Sequence, residues 1–271
     1  MTIVQAVVLG IVQGLTEFLP VSSSGHLVIV PGLLSWPVPP VAFDVLLHLA
    51  TLAAVVLYFA PDLGRIVLAY VSPHRLPAAR ARTLRRLGLW LVIGSIPAAL
   101  AGVLLKDFFE SLFASTAAVG VFMMLSGVLM LIADLVVRRQ GRRRAVSSLG
   151  LFDVLVIGAF QALAIAPGLS RSGSTMSGGI YLGLDRESAA RFSFLLAIPA
   201  ILGAGVVNAG DLLHGVESGQ SAAYLAGGVA ALLSGLLAVA FMLRYLRAHR
   251  LLPFVIYTLL MGALVLGLSL M

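Results

Sequence analysis

Apolar residues run in long blocks along this chain, and the interruptions between them are of two kinds. Six blocks, residues 41 to 60, 83 to 105, 114 to 137, 187 to 210, 222 to 243 and 252 to 271, are each long enough for a membrane-crossing helix, which takes about 20 mostly apolar residues. Short polar or basic stretches separate them. The remaining apolar segments are shorter or more polar and come in pairs, 2 to 19 with 25 to 36, and 150 to 166 with 174 to 183. The first pair meets at Pro20-Val21-Ser22-Ser23-Ser24-Gly25, the second around Pro167-Gly168-Leu169-Ser170-Arg171-Ser172-Gly173. Each pair predicts a helix that enters the membrane, breaks part-way at proline and glycine, and returns to its own side as a second short helix.

Composition narrows the class. Of 271 residues 60% are hydrophobic and 11% charged, with a mean hydropathy of +1.07, whereas a soluble domain carries roughly 25% charged residues. No polar stretch is long enough for a separate soluble domain. Residues 1 to 271 therefore read as a single integral membrane domain, all-α, with six transmembrane helices and two re-entrant helix pairs. The segment from Thr2 to Leu19 lacks a basic leading region and carries Gln5, Gln13 and Glu17, unlike a cleavable signal peptide, and is expected to stay in the mature protein.

The net charge of +7 does not imply a nucleic-acid partner, because the arginines lie in short runs between apolar blocks, where they act as topology signals. Residues 61 to 86 carry Arg65, Arg75, Arg80, Arg82, Arg85 and Arg86; residues 138 to 144 carry five arginines; residues 244 to 250 carry Arg244, Arg247 and Arg250. If the re-entrant pairs add no net crossing, six spans put all three loops on one face, expected to be cytoplasmic. The loops around Lys106-Asp107-Glu110 and Asp211-Glu217, with both termini, then lie outside. The run at 138 to 144 reads as an anchor on anionic lipid. Absence of cysteine excludes disulfides, thiolate metal sites and a cysteine nucleophile.

The chain also repeats itself. A displacement of 148 residues lays Gly10, Gln13, Leu15, Ser22, Ser24 and Gly25 onto Gly158, Gln161, Leu163, Ser170, Ser172 and Gly173. The copies, 1 to 137 and 149 to 271, each hold one re-entrant pair and three spans. Three is odd, so the second copy enters from the opposite face. The expectation is an inverted-topology repeat with its site near the midplane, where the copies meet.

Two breaks at membrane depth imply a cavity, since irregular backbone there must be buried in protein or line water. Their glycines, hydroxyls and fresh helix starts suit an anion, and phosphate is the natural one. Arg171 lies amid Ser170, Ser172, Ser174 and Thr175; it is either a bidentate phosphate ligand or a structural arginine paired with Glu17 or Asp153. Glu17 shares a helix face with Gln13, and could hold a divalent metal with it, serve as a base, or merely neutralise Arg171. His26 directly follows the serines, as a phosphoryl nucleophile, an acid and base acting on serine, or a hydrogen-bonded structural residue. Ser23 and Ser24 are nucleophile or phosphate-ligand candidates, or helix caps; Ser170 and Thr175 are better ligands than nucleophiles. Asp44 is expected at the entrance or as a cap, His48 as a satisfied interhelical residue, and Asp134 and Asp153 as interfacial or paired.

The stretches Gln13-Gly14-Leu15-Thr16-Glu17-Phe18-Leu19-Pro20-Val21-Ser22-Ser23-Ser24-Gly25-His26 and Pro167-Gly168-Leu169-Ser170-Arg171-Ser172-Gly173-Ser174-Thr175 resemble the two signature motifs of the bacterial undecaprenyl-diphosphate phosphatase family, the BacA or UppP bacitracin-resistance type. The likeness extends to Phe43-Asp44 and to Glu187-Ser188-Ala189-Ala190-Arg191-Phe192-Ser193-Phe194. It implies removal of the terminal phosphate from undecaprenyl diphosphate, which recycles the lipid carrier of cell-wall synthesis. It also implies bacitracin resistance, indirectly, because bacitracin sequesters that diphosphate. The family's acidic pair falls on Gln13 and Glu17, its serine and histidine on Ser23 and His26, its phosphate-binding arginine and threonine on Arg171 and Thr175. The implied cofactor is a divalent cation, Mg2+ or Ca2+, near Glu17 and Gln13; the amide at Gln13 weakens any scheme with two carboxylates on the metal. Polyprenyl diphosphate and membrane lipid are the implied partners, with room for a homodimer, in a bacterial plasma (inner) membrane with the site open to the extracytoplasmic side. The rival reading is a secondary transporter or lipid flippase, which uses the same inverted architecture. A scaffold gives no reason to keep Glu17, His26 and Arg171 at membrane depth.

Overall fold

The computed structural model describes residues 1–113, 115–139, 144–215 and 219–270. Among them the regular structure is helical: α1 Ile3–Phe18, α2 Ser23–Leu33, α3 Val41–Tyr58, α4 Ala60–Val71, α5 Ala78–Leu104, α6 Lys106–Phe113, α7 Thr116–Arg139, α8 Leu151–Leu163, α9 Arg171–Tyr181, α10 Arg186–Val207, α11 Ala209–His214, α12 Ser221–Ala248 and α13 Leu252–Ser269. Six of these, α3, α5, α7, α10, α12 and α13, are long and apolar enough to cross a membrane. They match the six blocks expected from the sequence, and α1, α2, α8 and α9 fall on the four shorter segments.

Local chemistry sets the helix ends. The Thr2 hydroxyl accepts the Gln5 N–H at 3.2 Å while Gln5 Oε1 accepts the Thr2 N–H at 2.8 Å, a reciprocal cap for α1. Ser22 and Ser170 cap α2 and α9 in the same way, each hydroxyl accepting the N–H three residues on, from Gly25 at 3.2 Å and Gly173 at 3.1 Å. Helices α2 and α9 therefore begin at Ser23 and Arg171, earlier than their apolar content suggested. Ser23 and Ser24 are first-turn residues, and Ser22 is the cap.

Four stretches expected to be loops are helical in whole or in part. Residues 61 to 86 form α4, a 3-10 turn at Pro73–Arg75 and the start of α5. Here α4 lies along α5, with the Tyr70 hydroxyl donating to Arg85 O and Arg85 Nε to Ala69 O, both at 2.6 Å. The loops around Lys106 and Asp211 contain α6 and α11, and α12 continues through Arg244 and Arg247. Arginine and lysine are good helix formers whose apolar stems cover hydrophobic surface, so charge does not end a helix here. Glu217 and residues 140 to 143 of the arginine run lie outside the described residues. Arg144 binds Asp153 at 2.6 Å, Arg186 binds Asp134 at 2.7 Å, and Arg191 binds Asp62 at 2.5 Å while its guanidinium lies over the Phe59 ring. Asp134 and Asp153 are thus paired, as expected.

The packing interleaves the two ends of the chain. Helix α1 lies against α12, α8 against α5, and α7 against α13, while α3 and α10 meet between them. Glycines permit close approaches, Gly10 and Gly158 among them. A Cβ on Gly10 would stand 2.2 Å from Gly227 O, and one on Gly158 would stand 2.4 Å from Gly94 O. Small residues let helices approach closely in membranes, where burial of apolar surface does not drive them together. A core of fully buried aromatics, Phe18, Phe59, Phe192 and Phe194 among them, backs the breaks, with Phe18 and Phe194 edge to face at 5.5 Å.

Gly10→Ala and Gly158→Ala are each expected to lose about 1–3 kcal/mol through overpacking, read as a lowered Tm in detergent. Gly64→Ala, where the added Cβ meets nothing within 4 Å, is expected to leave Tm within about a degree of the parent, or raise it, by reducing unfolded-chain freedom.

Candidate functional site

The two breaks meet at one carboxylate. Glu17, in the last turn of α1, is 6% exposed. Its Oε1 accepts from Arg171 Nη2 at 2.6 Å, and its Oε2 accepts from the Ser23 hydroxyl at 2.7 Å and from Gln13 Nε2 at 3.0 Å. Of the two partners weighed for Arg171, the structure selects Glu17; Asp153 is held by Arg144. The first turns of α2 and α9 thus converge on the same anionic group. First-turn N–H groups have no partner within their own helix, and each N-terminus carries a partial positive charge. Glu17 sits where a bound anion would be favoured.

Further hydrogen bonds stitch the breaks together. The Gly168 N–H donates to Ser24 Oγ at 3.2 Å, and Ser172 Oγ donates to Leu19 O at 3.3 Å. Gly168 has a φ of +90°, and a Cβ there would lie 2.3 Å from Val119 O on α7, so only glycine serves this turn. Ser22 reaches a φ of 73° without being glycine, a local strain of about 1–3 kcal/mol. Its carbonyl accepts from His26 Nδ1 at 2.7 Å and from the His26 N–H at 3.2 Å.

The remaining expected site residues divide by exposure. Ser23 and Ser24 are part-exposed, as is Arg171 at 15% of its side chain. Ser170, Ser172, Ser174 and Thr175 are buried. Ser170 Oγ, besides its capping role, lies 3.2 Å from Ser172 Oγ, and Ser174 Oγ has no hydrogen-bond partner. Thr175 donates to Arg171 O at 2.8 Å and lies 2.6 Å from Ser193 Oγ. His26 is 5% exposed, and its Nε2 meets the Tyr257 hydroxyl at 2.7 Å.

Sequence reasoning undervalued or missed four residues. His48 Nε2 stands 3.8 Å from Glu17 Oε2, with Nδ1 3.6 Å from Asp44 Oδ1, so an expected interhelical histidine borders the carboxylate. Ser193 of α10 touches Thr175, and its carbonyl lies 3.5 Å from Arg171 Nη1. Ser126 of α7 accepts the Ser170 N–H at 3.3 Å. Tyr257 of α13 reaches His26 from 231 residues away. The spacing of Asp44 and His48 by one helical turn was a signal for the first of these, and the run from Glu187 to Phe194 that carries the family likeness was one for Ser193; isolated hydroxyls in apolar helices gave none for the others.

A divalent cation was expected at Glu17 and Gln13. Among the described residues no cluster of three or more His, Cys, Asp or Glu side chains could hold a metal. Gln13 Oε1, however, is buried beside Glu17 without a hydrogen-bond partner. One carboxylate and one free amide oxygen fit a hard cation of the kind that keeps several waters and completes its shell with substrate phosphate oxygens.

Comparison with known proteins now bears on this geometry. The family model described as "Bacitracin resistance protein BacA" matches residues 6–264. A protein of Thermomicrobium roseum named "Undecaprenyl-diphosphatase" is 42% identical over 271 aligned residues, covering 98% of both chains. Proteins of the same name from Moorella thermoacetica and Geobacter sulfurreducens are 43% and 41% identical, covering 98% of this chain and 97% and 98% of theirs. Both signature motifs lie inside the matched region, on the two sides of the Glu17–Arg171 pair, and the chain belongs to the bacitracin resistance protein BacA family.

Proposed function

We propose that this protein hydrolyses undecaprenyl diphosphate to undecaprenyl phosphate and inorganic phosphate at the Glu17–Arg171 pair. The observation that carries the reading is the meeting of a carboxylate, a hydroxyl and a guanidinium from both breaks within 2.7 Å contacts, in a chain similar over its length to proteins bearing that enzyme's name. Transport is the weaker reading, since those relatives are named for hydrolysis.

Six apolar helices make this a multi-pass membrane protein. The finer arrangement belongs to the proposal: one membrane domain, two re-entrant pairs α1/α2 and α8/α9, and an inverted repeat. Matched caps at Ser22 and Ser170 and matched close approaches at Gly10 and Gly158 support it. The basic stretches lie on the cytoplasmic side of a bacterial inner membrane, both termini lie outside, and the site opens outward, where the spent carrier is released.

The diphosphate head enters between the helix N-termini while its polyprenyl tail stays in lipid. Arg171 turns from Glu17 to the terminal phosphate, joined by first-turn N–H groups of α2 and α9. Ser24 and the hydroxyls of Ser170, Ser172, Ser174 and Thr175 shape the anion cradle, the buried ones by holding its backbone. Phosphoryl transfer depends largely on such positioning and charge stabilisation. Ser23 attacks the terminal phosphorus as its proton passes to Glu17, the bridging P–O bond breaks, and undecaprenyl phosphate departs. Water then attacks the phosphoserine, with His26 assisting, which frees phosphate and restores Ser23. Glu17 and Gln13 would hold a divalent cation, Mg2+ or Ca2+, whose charge would offset that of the diphosphate.

Purified protein in detergent is expected to release phosphate from undecaprenyl diphosphate. Glu17→Ala and Arg171→Ala should each lower kcat by about 100-fold or more, and near-parental turnover in both would remove this site. A chelator should stop turnover, and added Mg2+ or Ca2+ should restore it. Stability separates the pair's structural part from its chemistry. Glu17→Gln or Arg171→Met alone leaves a buried partner uncompensated, expected at about 3–5 kcal/mol, whereas the double variant should recover part of that loss in thermal unfolding.

A further inference from the structure

His26 lies among hydrogen bonds that fix its chemical form. Its Nδ1 is 2.7 Å from Ser22 O, which can only accept, so Nδ1 carries the proton. In the neutral ring Nε2 is then an acceptor, and in its 2.7 Å contact with Tyr257 the phenol is the donor. The two rings are nearly parallel, 9° apart with centroids at 5.6 Å. Both dihedrals of the imidazole are thereby held, one edge by the strained carbonyl of Ser22 and the other by α13.

The next residue on α13 strengthens the link. Thr258 is fully buried; its hydroxyl donates to Phe254 O of its own helix at 2.7 Å and lies 3.4 Å from Pro20 O, at the opening of the same break. Neighbouring residues of the last helix thus lie against both ends of the Pro20–His26 segment, with Tyr257 making the short contact, although α13 packs mainly on α7. Tyr257 itself is 41% exposed, and its contact with His26 is part-buried.

We propose that Tyr257 is a positioning residue for the phosphatase reaction, holding the His26 imidazole as the Nδ1–H tautomer in a single orientation. This rests on the reading that His26 assists the chemistry. A phenol suits the task because its oxygen donates to neutral Nε2 and, after rotation of its hydrogen, accepts from a protonated Nε2. The phenol therefore holds the ring in the same place in both the neutral and the protonated form of His26. Phenylalanine keeps the stacking and loses both hydrogen bonds.

Steady-state phosphate release by Tyr257→Phe, His26→Ala and the double variant tests this. Tyr257→Phe should lose about tenfold in kcat with KM unchanged, the scale of one hydrogen bond, and should have no further effect in the His26→Ala background. Tyr257→Phe with parental kcat, or losses that multiply in the double variant, would overturn the proposal. Parental turnover in His26→Ala would instead overturn the assisting role of His26 on which it stands. Histidine 15N NMR of the unaltered protein, with the His26 signal assigned by its loss in His26→Ala, gives a reading independent of folding in the tyrosine variant. An Nδ1–H tautomer agrees with the proposal, and an Nε2–H tautomer contradicts it.

Discussion

A buried ion pair between two helix breaks organises this protein. Glu17 and Arg171 are 154 residues apart in sequence and 2.6 Å apart in space. Removing two charges from water costs several kcal/mol each, and their attraction repays that only with good geometry and further hydrogen bonds. Ser23, Gln13 and His48 surround the carboxylate, and the Ser193 carbonyl lies beside the guanidinium. A pair so costly to assemble is a poor device for stability alone. In the proposed reaction it is a site that stays neutral at rest and whose guanidinium is released when the diphosphate arrives.

The scaffold answers a second constraint, the backbone polar groups freed where α1 and α8 end. Capping serines satisfy one N–H each of α2 and α9, Ser24 takes the Gly168 N–H, and Ser126 takes that of Ser170. The first residues of the two helices, Ser23 and Arg171, turn their side chains to Glu17. Under the 148-residue displacement Glu17 corresponds to Ile165 and Ser23 to Arg171. The first half thus supplies the acid and hydroxyl, and the second the guanidinium. In the proposed inverted repeat this difference turns a symmetric fold into a one-sided site.

Much of this was legible in the sequence because membrane helices must be long and apolar, and their breaks must be marked by proline, glycine and serine. The six spans and four short helices follow from that rule alone. Helices α4, α6 and α11 escaped it, being short, amphipathic or charged; their charges were read for the face they mark rather than the helix they form. At the site, the shared face of Gln13 and Glu17 was visible from helical periodicity. The reach of Arg171 to Glu17 stood among several alternatives, because spacing within one helix says nothing of contacts between halves. For the same reason the contacts of Tyr257, Ser193 and Ser126 were not foreseen, each a polar residue on a mostly apolar helix that meets a break only after folding; Ser193 stood only within the run that carried the family likeness.

The most direct measurement is the position of the terminal phosphate in an experimental structure of the Ser23→Ala protein with undecaprenyl diphosphate. The account requires that phosphate between the starts of α2 and α9, bonded to Arg171, with Glu17 no longer holding the guanidinium. A diphosphate seated elsewhere, with the Glu17–Arg171 pair intact, would contradict it.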